Sequence, residues 1–168
     1  MEKKFFTTRN IAFGAIIAAL YVVLCLIFEP ISYGPIQFRI AEALTIMPLF
    51  TPAAIPGLFV GCILANIIGQ GVIMDIVLGS LATLIGAVLG YMLRSNRWLV
   101  PIPAVIANAL IIPFVLWYGY GLTDVPIPLE MVYILIGEIA GCYILGEILA
   151  SILIPYKKQL FKESPANQ

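Results

Sequence analysis

Histidine is absent from this 168-residue chain, and charge is scarce: nine basic and nine acidic side chains make up 11% of the residues. Without histidine there is no imidazole for haem or zinc ligation and none for general-base catalysis. The three cysteines, Cys25, Cys62 and Cys142, lie singly inside apolar runs without metal-ligand spacing. They read as small buried apolar residues. No nucleophile motif accompanies them, so neither an enzyme nor a resident metal or cofactor is expected. No internal repeat is visible, and the one low-complexity tract is the polar tail Lys162 to Gln168. Charge this sparse cannot coat a soluble domain.

What the chain does have is apolar length. Hydrophobic residues make up 62% of it and the mean hydropathy is +1.06. Lipid is therefore the solvent for most of the chain, which has room for about six spanning helices of roughly 20 residues with short connections. Turn residues and charges divide it near 11–28, 40–50, 53–69, 72–93, 99–121 and 130–155. The expected fold is an all-α integral membrane protein, a single 1–168 membrane domain forming a six-helix bundle with residues 156–168 as a cytoplasmic tail. No soluble catalytic or nucleotide-binding domain fits, and no nucleic acid partner is expected. The stretch from Ile11 to Phe28 is long for a signal-peptide core and no cleavage region follows, so it reads as a retained helix. Pro48, Pro52 and Pro56 punctuate the second and third segments, which predicts short or broken helices buried against the others.

Charge sorts along the chain. Lys3, Lys4 and Arg9 precede the first span, Arg94 and Arg97 separate the fourth from the fifth, and Lys157, Lys158 and Lys162 follow the sixth. Six spans put these on one face, which the positive-inside rule assigns to the cytoplasm together with both termini. Only Arg39 falls on the other side, where Glu29, Glu42, Asp75, Asp124, Glu130 and Glu138 gather. An acidic outer mouth of this kind attracts cations.

A charged side chain near the bilayer centre costs at least ~2.5–3.5 kcal/mol, so each one kept there should face a partner or a cavity. Glu138 lies in the outer half of the last span and Asn108 near the middle of the fifth. Asp75 sits early in the fourth; Arg39 and Glu42 open the second, three residues apart and able to share a face. With Gln70 these form a polar set at one depth. Plainer readings remain for some of them: an internal Arg39–Glu42 salt bridge, and an Asp75 charge at a helix N-terminus. Glu147, nine residues beyond Glu138, falls about 180° around the helix. It reads as a protein contact or a structural residue nearer the cytoplasm.

On the first helix Ala12, Ala15 and Ala19 form a small-residue stripe flanked by Gly14 and Ala18, and such stripes let another helix approach closely. Intramolecular packing is the alternative. Aromatics gather toward the outside: Tyr33, Phe38, Trp117, Tyr118, Tyr120 and Tyr133. They suit an interfacial belt, or a flat heterocycle stacked beside carboxylates and amides.

The run Gln37-Phe38-Arg39-Ile40-Ala41-Glu42-Ala43-Leu44-Thr45, then Pro48 to Phe59 and Gly61-Cys62, resembles the QueT family, and Asp75 to Leu84 extends the likeness. These are substrate-binding subunits, or S components, of energy-coupling factor transporters. The resemblance implies a six-helix protein that captures queuosine precursors, 7-deazaguanines such as 7-aminomethyl-7-deazaguanine or queuine, from outside the cell. It implies docking on a module of two ATPases and a coupling transmembrane subunit, with substrate released by toppling in the bilayer. Ala15 and Ala19 match the Ala-x-x-x-Ala docking pattern.

A guanine-like ring sets two N–H donors side by side on one edge, and a carboxylate accepts both. Glu138 suits that contact. Asn108 or Arg39 suits the ring carbonyl, Asp75 or Glu42 the aminomethyl cation, and Trp117, Tyr118 or Phe38 the ring face. The Glu29 to Gln37 segment suits a lid. The competing readings are an S component for another cationic vitamin or nucleobase, an autonomous channel, and a membrane enzyme.

Overall fold

The computed structural model describes residues 7–28 and 38–161. Glu29 to Gln37, expected as a lid, lies outside the described residues, as do Lys3, Lys4 and Lys162. Among the described residues six helices account for the architecture: α1 (Thr8–Ile27), α2 (Ile40–Leu49), α3 (Ala54–Ile68), α4 (Asp75–Met92), α5 (Arg97–Gly119) and α6 (Ile127–Leu160). No strand occurs among the described residues. By length and composition α1, α4, α5 and α6 can each cross a membrane, whereas α2 and α3 are shorter. Exposed apolar side chains such as Ile16, Ile67, Ile106, Ile136 and Ile148 cover the outside of the bundle. They form the surface that lipid wets.

α1 starts three residues before the apolar run because the Thr7 hydroxyl accepts from the Asn10 amide at 3.2 Å, capping an otherwise orphaned donor. α2 is wound as a tight 3-10 helix with Pro48 inside it. At a rise of about 2 Å per residue its ten residues span only ~20 Å, too short for the ~30 Å hydrocarbon layer. Its residues Ala41 to Pro48 are all buried, because α2 is packed by α1, α3, α4 and α6. The shortest helix is thus the centre of the molecule.

Three widened π turns interrupt the longer helices, at Asp75–Gly79, Val115–Gly119 and Ile139–Leu145. The second follows Pro113, which has no N–H to give the helical ladder. Such turns re-aim the side chains beside them. Asp75 opens the first and Glu138 immediately precedes the third.

α1 and α3 cross through small residues. A side chain on Gly57 would meet the Gly14 carbonyl oxygen at 2.7 Å, and one on Gly61 would meet the Tyr21 Cβ at 2.9 Å. At the far end of the chain, residues 154–160 continue α6 as short helical turns. There Phe161 packs on Phe13 and Phe50, with ring centroids 5.5 and 5.2 Å apart, and Arg9 donates to the Leu160 carbonyl at 2.7 Å. The end of α6 thereby covers the start of α1.

Candidate ligand-binding site

Most of the polar side chains buried in the bundle belong to two adjoining networks around the start of α2. In the first, the Tyr21 hydroxyl on α1 donates to Glu42 Oε1 at 2.5 Å. The Cys142 thiol on α6 donates to Glu138 Oε2 at 3.0 Å and lies 3.9 Å from Glu42 Oε2. Asn108 on α5, also buried, lies against Glu138 through its side-chain amide. Thr45 returns its hydroxyl to the Glu42 carbonyl at 2.6 Å, fixing that first turn. Two carboxylates, a phenol, a thiol and an amide, all buried, therefore meet between four helices, α1, α2, α5 and α6.

Close approach of α6 depends on Gly141. A side chain there would sit 2.9 Å from the Arg39 carbonyl oxygen and 3.5 Å from Glu42 Cβ. Glycine lets the π turn of α6 lie directly on the start of α2, which is what brings Glu138 to Glu42.

In the second network Arg39 Nη2 pairs with Asp75 Oδ2 at 3.4 Å, both residues buried. The same oxygen accepts from the Tyr120 hydroxyl at 3.0 Å, and Asn66 donates its amide to the Asp75 carbonyl at 3.2 Å. Asp75 Oδ1 is buried without a hydrogen-bond partner, and Gly79 sits so near it that an added Cβ would approach to 2.5 Å.

Arg39, Glu42, Asp75, Asn108 and Glu138 are thus brought together. The Arg39–Glu42 salt bridge is not formed; the guanidinium reaches α4 instead. Gln70 is exposed at the α3–α4 turn in left-handed backbone, with φ at 56°. Tyr118 is largely exposed, and Phe38 and Trp117 are half-buried. Glu147 lies elsewhere on α6, 3.1 Å from Arg97 Nε in an ion pair.

Cys142, read from sequence as a small buried apolar residue, is instead a bridge between two acids; Tyr21 and Asn66 were not foreseen as members, and Tyr120, read as an outer aromatic, enters as a hydrogen-bond donor to Asp75. One atom each from Glu42, Glu138 and Cys142 lies within 4.8 Å of the others. Such a trio can hold a divalent metal in three-point contact, although here the contacts run among the residues themselves.

Residues 11–155 match the QueT transporter family. The chain belongs to that family. A relative from Lactococcus lactis subsp. cremoris (strain MG1363), the queuosine precursor transporter QueT, is 39% identical over 88 residues, 51% of this chain and 52% of the relative. The chain thus aligns with about half the length of that protein. No solved structure matches.

Within this QueT-family fold the alanine stripe divides into two faces. Gly14 and Ala18 are buried against α3, while Ala12, Ala15 and Ala19 are exposed. An apolar groove of about 290 Å³ runs between α1 and α3, lined by Ile11, Gly14, Ala15, Ala18, Pro56 and Gly57 among others. Its α1 wall runs from Asn10 to Ala18 and ends three residues before Tyr21.

Proposed function

We propose that this chain is the membrane substrate-capture subunit of an ATP-driven energy-coupling factor importer for queuosine precursors, and that it is not an enzyme. Family membership and the name of the aligned relative support the substrate class. The observation that carries the site is the convergence of Glu138, Asn108 and Glu42. Around one rim of 7-aminomethyl-7-deazaguanine follow the N–H edge, the ring carbonyl and the aminomethyl ammonium. Two carboxylates linked through Cys142, with an amide against one of them, suit these groups: Glu138 accepts from the ring, Asn108 donates to the carbonyl, and Glu42 faces the cation. Arg39 and Asp75, held by Tyr120 and Asn66, back the site, and Phe38 or Trp117 supplies a ring face.

The bilayer is the bacterial cytoplasmic membrane, with both termini inside. Arg9, Arg94, Arg97, Lys157 and Lys158 then face the cytoplasm and the polar networks lie toward the outside. Ala12, Ala15 and Ala19, with the groove beside them, form the face that docks the coupling transmembrane subunit, which in turn is driven by two ATPases. Capture and docking are therefore assigned to different faces of α1, the buried face of Tyr21 and the exposed face of Ala12, Ala15 and Ala19.

Titrating the purified chain with 7-aminomethyl-7-deazaguanine, queuine, guanine and the cationic vitamin thiamine tests the substrate class. Saturable binding of the deazaguanines with weaker binding of thiamine is the expected result. Preference for thiamine would replace the ligand and keep the architecture.

A further inference from the structure

Glu130, Ile134 and Glu138 stand one turn apart on the buried face of α6, in the regular helical stretch that ends at Glu138. At 1.5 Å per residue, Glu130 lies about 12 Å from Glu138 along the helix. α5 runs alongside. Its Asn108 lies against Glu138, and its Ile112 and Leu116 cluster with Ile134, with Tyr120 packed on the same group. Buried apolar side chains therefore separate the inner acid from the outer one, and Tyr120, which donates to Asp75 Oδ2 at 3.0 Å, ties them to the second network. Glu130 is only 8% exposed. Its carboxylate makes no hydrogen bond or ion pair among the described residues, yet its oxygens are not sealed from solvent. No lysine or arginine occurs between Arg97 and Lys157 or from residue 10 to residue 38 to pair with it. An acid kept in a membrane segment without a protein partner marks a path for a cation.

Resting on the ligand class and orientation proposed above, we infer that the seam between α5 and α6 is the ligand's way in. Glu130 is an outer subsite for its primary ammonium, and Ile112, Leu116, Ile134 and Tyr120 are the gate between that subsite and Glu138. The ammonium meets Glu130 first. The gate then parts, the ring edge reaches Glu138 and the ammonium passes on to Glu42. With about 12 Å between Glu130 and Glu138, the outer contact is made in passage and given up in the bound state. A contact of that kind lowers the barrier to entry and exit alike and leaves the equilibrium nearly unchanged. A neutral ring gains nothing from it.

Surface plasmon resonance on the immobilised, purified chain reads the entry and exit rates of 7-aminomethyl- and 7-cyano-7-deazaguanine. Glu130→Gln should slow entry and exit of the aminomethyl ring by about tenfold, the lower end of what charge guidance confers on association. Its dissociation constant should hold within about twofold, and the rates of the neutral cyano ring should not change. Asp124→Asn removes an exposed charge from the α5–α6 connection, off the seam, and should alter these rates by less than about twofold. Unchanged aminomethyl rates in Glu130→Gln, equal slowing by Asp124→Asn, or weaker binding of both rings to Glu130→Gln would overturn the path while leaving the ligand class intact. Failure of both rings to bind the unmodified chain would overturn both readings. Salt gives a test that needs no variant: it should slow entry of the aminomethyl ring and not of the cyano ring, and equal salt dependence of the two would overturn the role of Glu130.

Discussion

The Tyr21 hydroxyl on α1 donates to Glu42 Oε1 on α2 across 2.5 Å, with Tyr21 fully buried. This bond ties a spanning helix to the short central helix at the acid assigned to the ligand. Tyr21→Phe keeps the ring and leaves one carboxylate oxygen without its donor. A buried acceptor left unmet costs about 1–3 kcal/mol, so the variant should unfold at lower temperature in a detergent melt.

Gly141→Ala should damage the site from the opposite side. The new Cβ would meet the backbone oxygen of Arg39, which cannot rotate away, so α6 must shift from α2. Overpacking of this kind costs about 1–3 kcal/mol. Ligand affinity should fall with stability; a variant that binds normally would show that the closeness of Glu138 and Glu42 is dispensable.

The second network predicts a difference between two acids. Glu42→Gln should reduce the preference for 7-aminomethyl- over 7-cyano-7-deazaguanine, because it removes the charge set opposite the ammonium. Asp75→Asn weakens the ion pair with buried Arg39 and should chiefly lower stability. Competition binding of the two rings, read beside thermal melts, separates these outcomes.

Much of this arrangement was readable in the sequence. Scarce charge in a long apolar chain indicated a helical membrane bundle, closely spaced prolines indicated a short second helix, and ionisable groups in apolar runs pointed to Arg39, Glu42, Asp75 and Glu138. Tyr21 was invisible, since one tyrosine in an apolar helix looks like any other core aromatic until its partner 21 residues away is placed. Asn66 did carry a signal: an amide in an apolar segment, of the same kind that singled out Asn108. Cys142 stands four residues after Glu138, one helical turn, and was overlooked because a lone thiol packs as a hydrophobe. The π turns have no local signature beyond Pro113, and they decide which acids face one another.

Docking should separate from capture. Ala15→Leu with Ala19→Leu enlarges two exposed positions on α1 away from the polar networks. Surface changes distant from a site usually stay within about ±0.5 kcal/mol, so ligand affinity of the isolated chain should hold within about twofold. Uptake driven by ATP, and co-purification with the coupling subunit, should be lost. Normal transport by the double variant would assign docking to another face.

The central claim is that Glu138 receives the ring edge of a 7-deazaguanine, and one titration addresses it most directly. Glu138→Gln keeps the volume but turns a donor toward donors, a mismatch worth about 1–3 kcal/mol, or roughly 5- to 150-fold in affinity. Binding of 7-aminomethyl-7-deazaguanine to the purified variant, folded as judged by its melting curve, should weaken by that factor. A dissociation constant equal to that of the unmodified chain would contradict the account and remove Glu138 from the site.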